Sequence, residues 1–205
     1  MYEHVFAWKG ALAEAGLDVD AWRIHRRIGM SGGLVTRAVA REVGRPLTLE
    51  EQETIQRRHG ELFREIAAVR RPLPGAVELL RELGAAGIPY GIATSGRRPE
   101  IDSSLDALGV GKDAVVVDRG SVLRAKPEPD LFLACAERLG VDVGECYVVG
   151  DAVWDLLAAW RARMLSVGLL SGGYGEDELV RAGAFRVYED AEELRRSLDE
   201  LGLVL

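Results

Sequence analysis

Asp151 and Asp155 stand four residues apart behind a short apolar run, in Val148-Val149-Gly150-Asp151-Ala152-Val153-Trp154-Asp155. If the run is a buried strand and a helix follows it, Asp151 sits at the strand tip and Asp155 one helical turn later on the same face. Two carboxylates this close repel. A hard cation such as Mg²⁺, which takes oxygen ligands and keeps part of its water, relieves that repulsion. The same pair also fits a plainer role, with Asp151 a helix N-cap and Asp155 a solvated first-turn acid favoured by the helix dipole. Two other segments suit the handling of an anion. Thr94-Ser95-Gly96 offers a hydroxyl followed by small residues that let backbone N–H groups approach, although such a tripeptide is also an ordinary turn. In Ala125-Lys126-Pro127-Glu128-Pro129-Asp130 the two prolines fix the backbone around Lys126, and Asp130 is placed to cap the next helix. A lysine held in this way meets the needs of a phosphate contact, and a surface lysine beside a proline turn is the alternative.

These groups need a frame, and the apolar periodicity supplies one. From Gly75 onward, helical stretches alternate with short apolar runs. The helices are Gly75–Gly84, Pro99–Leu108, Pro129–Leu139, Val153–Ala162, Glu176–Ala182 and Ala191–Leu201. The strands are Ile88–Thr94, Ala114–Val117, Cys146–Val149, Met164–Val167 and Phe185–Tyr188. This alternation predicts an α/β domain with a parallel sheet covered by helices on both faces, in which ligands bind beyond the carboxyl ends of the strands. Thr94, Lys126 and Asp151 all fall there. Before Arg71-Pro72-Leu73-Pro74-Gly75 the chain reads as helix only: His4–Ala15, a helix around Trp22–Arg27, another around Leu34–Val43, and one opened by the capping box Thr48-Leu49-Glu50-Glu51. The last is expected to bury Ile55, Leu62, Phe63, Ile66 and Val69. His25 is expected to be an exposed helix histidine, and Trp154 and Trp160 to pack in the core. The expected division is a helical domain over 1–71 and an α/β domain over 72–205.

Composition narrows the partners. With 26 Lys and Arg against 33 Asp and Glu in 205 residues, the net charge is −7. That balance argues against nucleic acid but leaves room for a local positive pocket holding a small phosphate ester. Two cysteines in apolar runs, Cys135 and Cys146, read as buried free thiols in a reducing compartment. No apolar stretch approaches the ~18 residues of a membrane span, and the N-terminus lacks a basic region followed by an apolar one, so a cytoplasmic address is expected.

The hydroxyl, the lysine and the acid pair, in this order and each after a strand, resemble the haloacid dehalogenase superfamily of phosphatases, in its phosphoglycolate phosphatase and β-phosphoglucomutase-like branch. The resemblance covers essentially the whole chain. It implies a Rossmannoid parallel-sheet core with a small helical cap, a Mg²⁺ cofactor, a small phosphate ester as substrate, and a monomer or homodimer. Thr94 looks like the family's second motif, which hydrogen-bonds the transferring phosphoryl group; Ser95 and Gly96 belong with it as substrate contacts. Lys126 looks like the third motif. Gly150-Asp151 with Asp155 looks like the fourth, in which the first acid supports Mg²⁺ and the second the metal's water shell. Trp22 to Gly32 stands where the cap's specificity segment falls, which makes Arg26, Arg27 and Ser31 the expected substrate contacts; an Arg-Arg pair on a helix is also an ordinary solvated face.

The family's first motif, Asp-x-Asp-Gly-Thr followed by Leu-Val-Asp-Ser, carries the nucleophilic aspartate on a central strand, and this sequence does not contain it. Tyr2-x-His4-Val5-x-x-Trp8 resembles the helix just after that motif, so the first core strand is expected upstream of Met1. Asp18 and Asp20 have the Asp-x-Asp spacing, but no strand precedes them and no Gly-Thr follows, which makes them a helix start. In the family the missing strand lies between the Ile88–Thr94 and Cys146–Gly150 strands. Three functional readings follow: a Mg²⁺-dependent phosphatase working through an aspartyl-phosphate, a phosphomutase, and a catalytically silent domain that binds phosphate or a partner.

Overall fold

The computed structural model describes residues 1–67, 69, 71–111 and 113–203, and the chain falls into two compact units, Met1–Val69 and Arg70–Leu205. The first is all helix: α1 (Tyr2–Glu14), α2 (Ala21–His25), α3 (Gly32–Glu42) and α4 (Leu49–Ile66). Its core joins Val5, Trp8 and Leu12 of α1 with Ile24, Val35, Val39 and Ile55. The expected capping box opens α4: Glu51 N–H donates to Thr48 Oγ1 at 3.2 Å, and Thr48 N–H to a Glu51 carboxylate oxygen at 2.8 Å. The helix stops at Ile66, one residue before Ala67 leaves helical geometry, so the buried stripe ends early. Ile66 and Val69, expected inside, are 47% and 74% exposed. His25 departs the other way, being buried and stacked on Tyr2 with ring centroids 5.7 Å apart.

Between α1 and α4 the aromatic rings interlock. His4 stacks on Phe63 at 3.7 Å and Trp8 on His59 at 4.1 Å, while His4 Nδ1 and His59 Nε2 lie 3.2 Å apart. Burial pushes the His59 imidazole down to about 4, so it stays neutral in this sandwich.

The second unit is α/β. Its strands are β1 (Gly91–Ala93), β2 (Val115–Val117), β3 (Tyr147–Gly150), β4 (Leu165–Leu169) and β5 (Arg186–Tyr188). The helices are α5 (Ala76–Ala85), α6 (Asp102–Ala107), α7 (Asp130–Leu139), α8 (Val153–Ala162), α9 (Glu176–Arg181) and α10 (Ala191–Arg196). Every pairing is parallel: β1 with β2 in register Ile92↔Val116, β3 with β4 in register Val149↔Val167, and β4 with β5 in register Gly168↔Val187. Helices cover both faces. Leu79 of α5 and Leu194 of α10 pack with Val167, Leu169 and Tyr188, whereas Phe132 and Ala136 of α7 pack with Val148 and with Ala158, Ala159 and Ala162 of α8.

The sheet is not continuous. Among the described residues, β1–β2 and β3–β4–β5 form separate ladders, yet Ala93 of β1 and Val148 of β3 share one apolar cluster under Phe132. β1 and β3 therefore contribute to one core without pairing, and Val149 of β3 is 45% exposed. Both cysteines are free, as expected. Cys135 is buried, Cys146 only half-buried, and burial pushes both thiols up.

Candidate active site at the carboxyl ends of the strands

Thr94 follows β1 directly. Its N–H donates to Val117 O at 2.9 Å, closing the last pair of the β1–β2 ladder, and its hydroxyl accepts the Gly96 N–H at 3.1 Å. The hydroxyl thus closes the Thr94-Ser95-Gly96 turn. A Cβ at Gly96 would lie 2.4 Å from Ile101, so only glycine lets this turn pack. The turn is pinned from β2 as well, because Arg119 N–H donates to Gly96 O and Arg98 N–H to the Asp118 carboxylate.

Lys126 is buried, 8% exposed, and its Nζ donates to Asp155 Oδ1 at 2.6 Å; the same ammonium stands 5.8 Å from the centre of the Phe132 ring. Asp155 lies in the first turn of α8, and its other oxygen accepts the Ala152 N–H at 3.1 Å. Both Asp155 oxygens therefore have fixed partners, and the acid acts as the anchor of Lys126. A Cβ at Gly150 would meet Asp155 Cβ at 2.4 Å, which explains a glycine at the tip of β3. The expected helix cap at Asp130 is absent. The N-cap is Pro129, and Asp130 is the first residue of α7, one oxygen near Arg124 Nε at 3.3 Å and the other buried without a partner.

Asp151 stands between β3 and α8. Burial first, and the Asp155 charge second, push its carboxyl up from the ordinary carboxylate range. A buried acid whose ionised form is disfavoured, facing a second acid already committed to a lysine, is a donor set that suits a hard divalent cation. Among the described residues no group of three His, Cys, Asp or Glu side chains gathers to hold a metal. One neighbour carries no signal in the sequence beyond a glycine pair after an apolar run. Gly172, in the turn after β4, lies so close that a Cβ there would fall 1.9 Å from the Asp151 carbonyl oxygen.

The helical unit places the other candidates. Arg27 is tied to the Glu42 carboxylate and to the Arg23 carbonyl, and Arg23 shares Glu42. Arg26 is half-buried at the end of α2, and Ser31 occupies the N-cap position of α3 without a side-chain capping bond. Asp20 precedes α2 and pairs with Arg23, while Asp18 is exposed beside Lys9, so the Asp-x-Asp pair is a helix start.

A model of the haloacid dehalogenase-like hydrolases matches residues 4–163. The chain belongs to that family. A crystal structure of a hydrolase from Pseudomonas syringae is 45% identical, covers 98% of this chain and 92% of its own, and superposes with a TM-score of 0.95. The plasmid protein CbbY of Cupriavidus necator is 34% identical over 180 residues, 80% of this chain and 70% of that protein. Phosphoglycolate phosphatase of Shigella boydii is 32% identical over 184 residues, 85% of this chain and 69% of that enzyme. The resemblance read from the sequence and the α/β fold are both borne out. This haloacid dehalogenase-like hydrolase contains no helix among the described residues long and apolar enough to cross a membrane.

Proposed function

We propose that this haloacid dehalogenase-like hydrolase is a Mg²⁺-dependent phosphatase of a small phosphate monoester, phosphoglycolate-like or a sugar phosphate. The observation that carries the reading is the buried Lys126–Asp155 pair beside Asp151, at the strand ends where Thr94 closes a turn of small residues. The nucleophile belongs to the family's first motif. A strand bearing it fits between β1 and β3, where two parallel edges share a core without pairing. An aspartate there attacks phosphorus, the ester oxygen leaves, and water releases phosphate from the aspartyl-phosphate. Lys126 offsets charge on the phosphoryl oxygens, held in reach by Asp155, while the N–H groups after Thr94 orient them. Asp151 would hold Mg²⁺ in part, and the ion would supply neutralisation of the charge on the phosphoryl oxygens. The helical unit, as the cap, selects the leaving group through Arg26, Arg27 or Ser31. Small soluble esters of the cytoplasm are the fitting substrates.

Phosphate release from a panel of esters, with Mg²⁺ or with chelator, tests this on protein from its natural source whose intact mass is recorded. Release that needs Mg²⁺ and falls at least ~10-fold in Asp151→Asn is expected, since even groups that only orient a metal ligand are worth about 10–100-fold. A mass equal to the 22.3 kDa of this chain, with no ester hydrolysed, would replace the phosphatase by a silent phosphate-binding domain. Transfer to a sugar hydroxyl rather than to water would make it a phosphomutase.

A further inference from the structure

The turn after β4 lies outside the segments that carry the proposed chemistry, yet it makes the tightest approach to them. Leu170–Gly172 form one 3-10 turn, closed by Gly173 N–H donating to Leu170 O at 2.9 Å. Gly172 is buried at its end. A Cβ built on Gly172 would fall 1.9 Å from the carbonyl oxygen of Asp151, 2.8 Å from its carbonyl carbon and 2.9 Å from its Cβ. Two of those atoms are backbone, so no side-chain rotation relieves the clash.

The peptide pressed by Gly172 is the one from which both acids take their positions. Asp151 hangs from its first residue. The N–H of the same peptide, on Ala152, donates to Asp155, whose other oxygen receives Lys126. Gly150, one residue earlier, leaves room for Asp155, where a Cβ would meet it at 2.4 Å. The turn has little freedom to recede. It leaves β4 only two residues after the Gly150↔Gly168 pairing, and two residues beyond Gly172 the Tyr174 ring is buried in one cluster with Ala152 and Leu156.

We infer that Gly172 is a positioning residue for the Asp151 carboxylate as a cation ligand: the bare α-carbon is the wall against which the Asp151–Ala152 peptide takes its orientation. The inference rests on Asp151 holding Mg²⁺. A purely structural role would lower stability and leave cation affinity alone, and the two separate in a binding measurement.

Mg²⁺ titration by calorimetry, with Mn²⁺ binding read by electron paramagnetic resonance as a second probe, is made on the wild-type protein and on Gly172→Ala, Ser171→Gly, Ser171→Ala and Asp151→Asn. Urea unfolding of each variant runs in parallel. In folded Gly172→Ala the dissociation constant rises at least tenfold, the range for groups that orient a metal ligand. Ser171→Gly, which adds backbone freedom without bulk, weakens binding about threefold, and Ser171→Ala leaves it unchanged. Wild-type affinity in folded Gly172→Ala overturns the inference. Where Gly172→Ala does not fold, unchanged affinity in Ser171→Gly overturns it. If the wild-type protein binds neither cation, or Asp151→Asn binds both as well as wild type, the reading of Asp151 falls and the inference with it.

Discussion

Replacing Lys126 by Met is the sharpest test of how the site is held together. The ammonium and the Asp155 carboxylate are 2.6 Å apart, and each side chain is 10% exposed. At an effective dielectric near 20, contact at that distance is worth about 6 kcal/mol of attraction, much of which is offset by the desolvation of both ions. The net value of the pair is therefore small, but the cost of breaking it from one side is not. Met preserves the length of the stem against Phe132 and removes the charge, leaving the buried Asp155 carboxyl with one backbone N–H as its partner. The expected loss is ~3–5 kcal/mol. For a chain of this size that lowers the melting temperature by roughly 6–20 °C. In the double variant Lys126→Met with Asp155→Asn no charge is stranded, the Asn carbonyl still accepts from Ala152, and at least half of the loss is recovered. Urea unfolding followed at Trp154, in the first turn of α8 next to Asp155, reports on this region. A loss under about 1 kcal/mol in the single variant, or strict additivity in the double variant, refutes the description of a coupled buried pair.

Three further outcomes follow from the same reasoning. His59 is held neutral down to about 4, below its unfolded value of ~6.5, so the folded helical unit refuses a proton that the unfolded chain accepts. Stability is full above pH ~6.5 and is lost as the pH falls towards 4; His59→Gln flattens that slope in a pH series of thermal melts, and an unchanged slope counts against it. Asp151 titrates the other way, its folded value lying above the unfolded one. The metal-free protein thus loses stability as the pH rises from 3.8 through the folded value, and Asp151→Asn is the more stable form at pH 7 without Mg²⁺; a less stable Asn variant contradicts the burial argument. Gly91→Ala in β1 sets a Cβ 2.5 Å from Cys135 Sγ and 3.2 Å from Val115 O. It should cost about 1–3 kcal/mol, most of it regained with Cys135→Ala, and denaturant midpoints of the four proteins decide.

Much of the architecture was legible because it depends on local signals. The Thr48 capping box, the helix Val153–Ala162 and the order of strands and helices are written in spacing and end residues. Strand ends were not. Ile88–Thr94 reads as one apolar run, yet only Gly91–Ala93 pairs, since Pro89 has no N–H to give and a ladder needs a partner of equal length. Trp160 reads as core but is 70% exposed, because Ala158 and Ala159 already fill the buried stripe of α8. At the site, Thr94, Lys126, Asp151 and Asp155 were readable as residues just after apolar runs. Their mutual arrangement was not: Lys126 and Asp155 are 29 positions apart, and nothing in the sequence tells which acid the lysine takes. Gly172 was invisible for the same reason, since a close approach of two backbones leaves no pattern but the glycine itself.

The break between β1 and β3 also bears on how this protein meets other molecules in solution. Neither strand pairs with the other, Gly91-Ile92-Ala93 on one side and Tyr147-Val148-Val149-Gly150 on the other, so each leaves backbone amides of mostly small and branched residues without a ladder partner there. Such edges are templates for a strand from any neighbouring molecule, and no proline or lysine within either strand blunts them. Handling this chain without a strand between them therefore invites self-association that grows with concentration. A short synthetic β-strand peptide added in excess would compete for the slot and keep the solution clear.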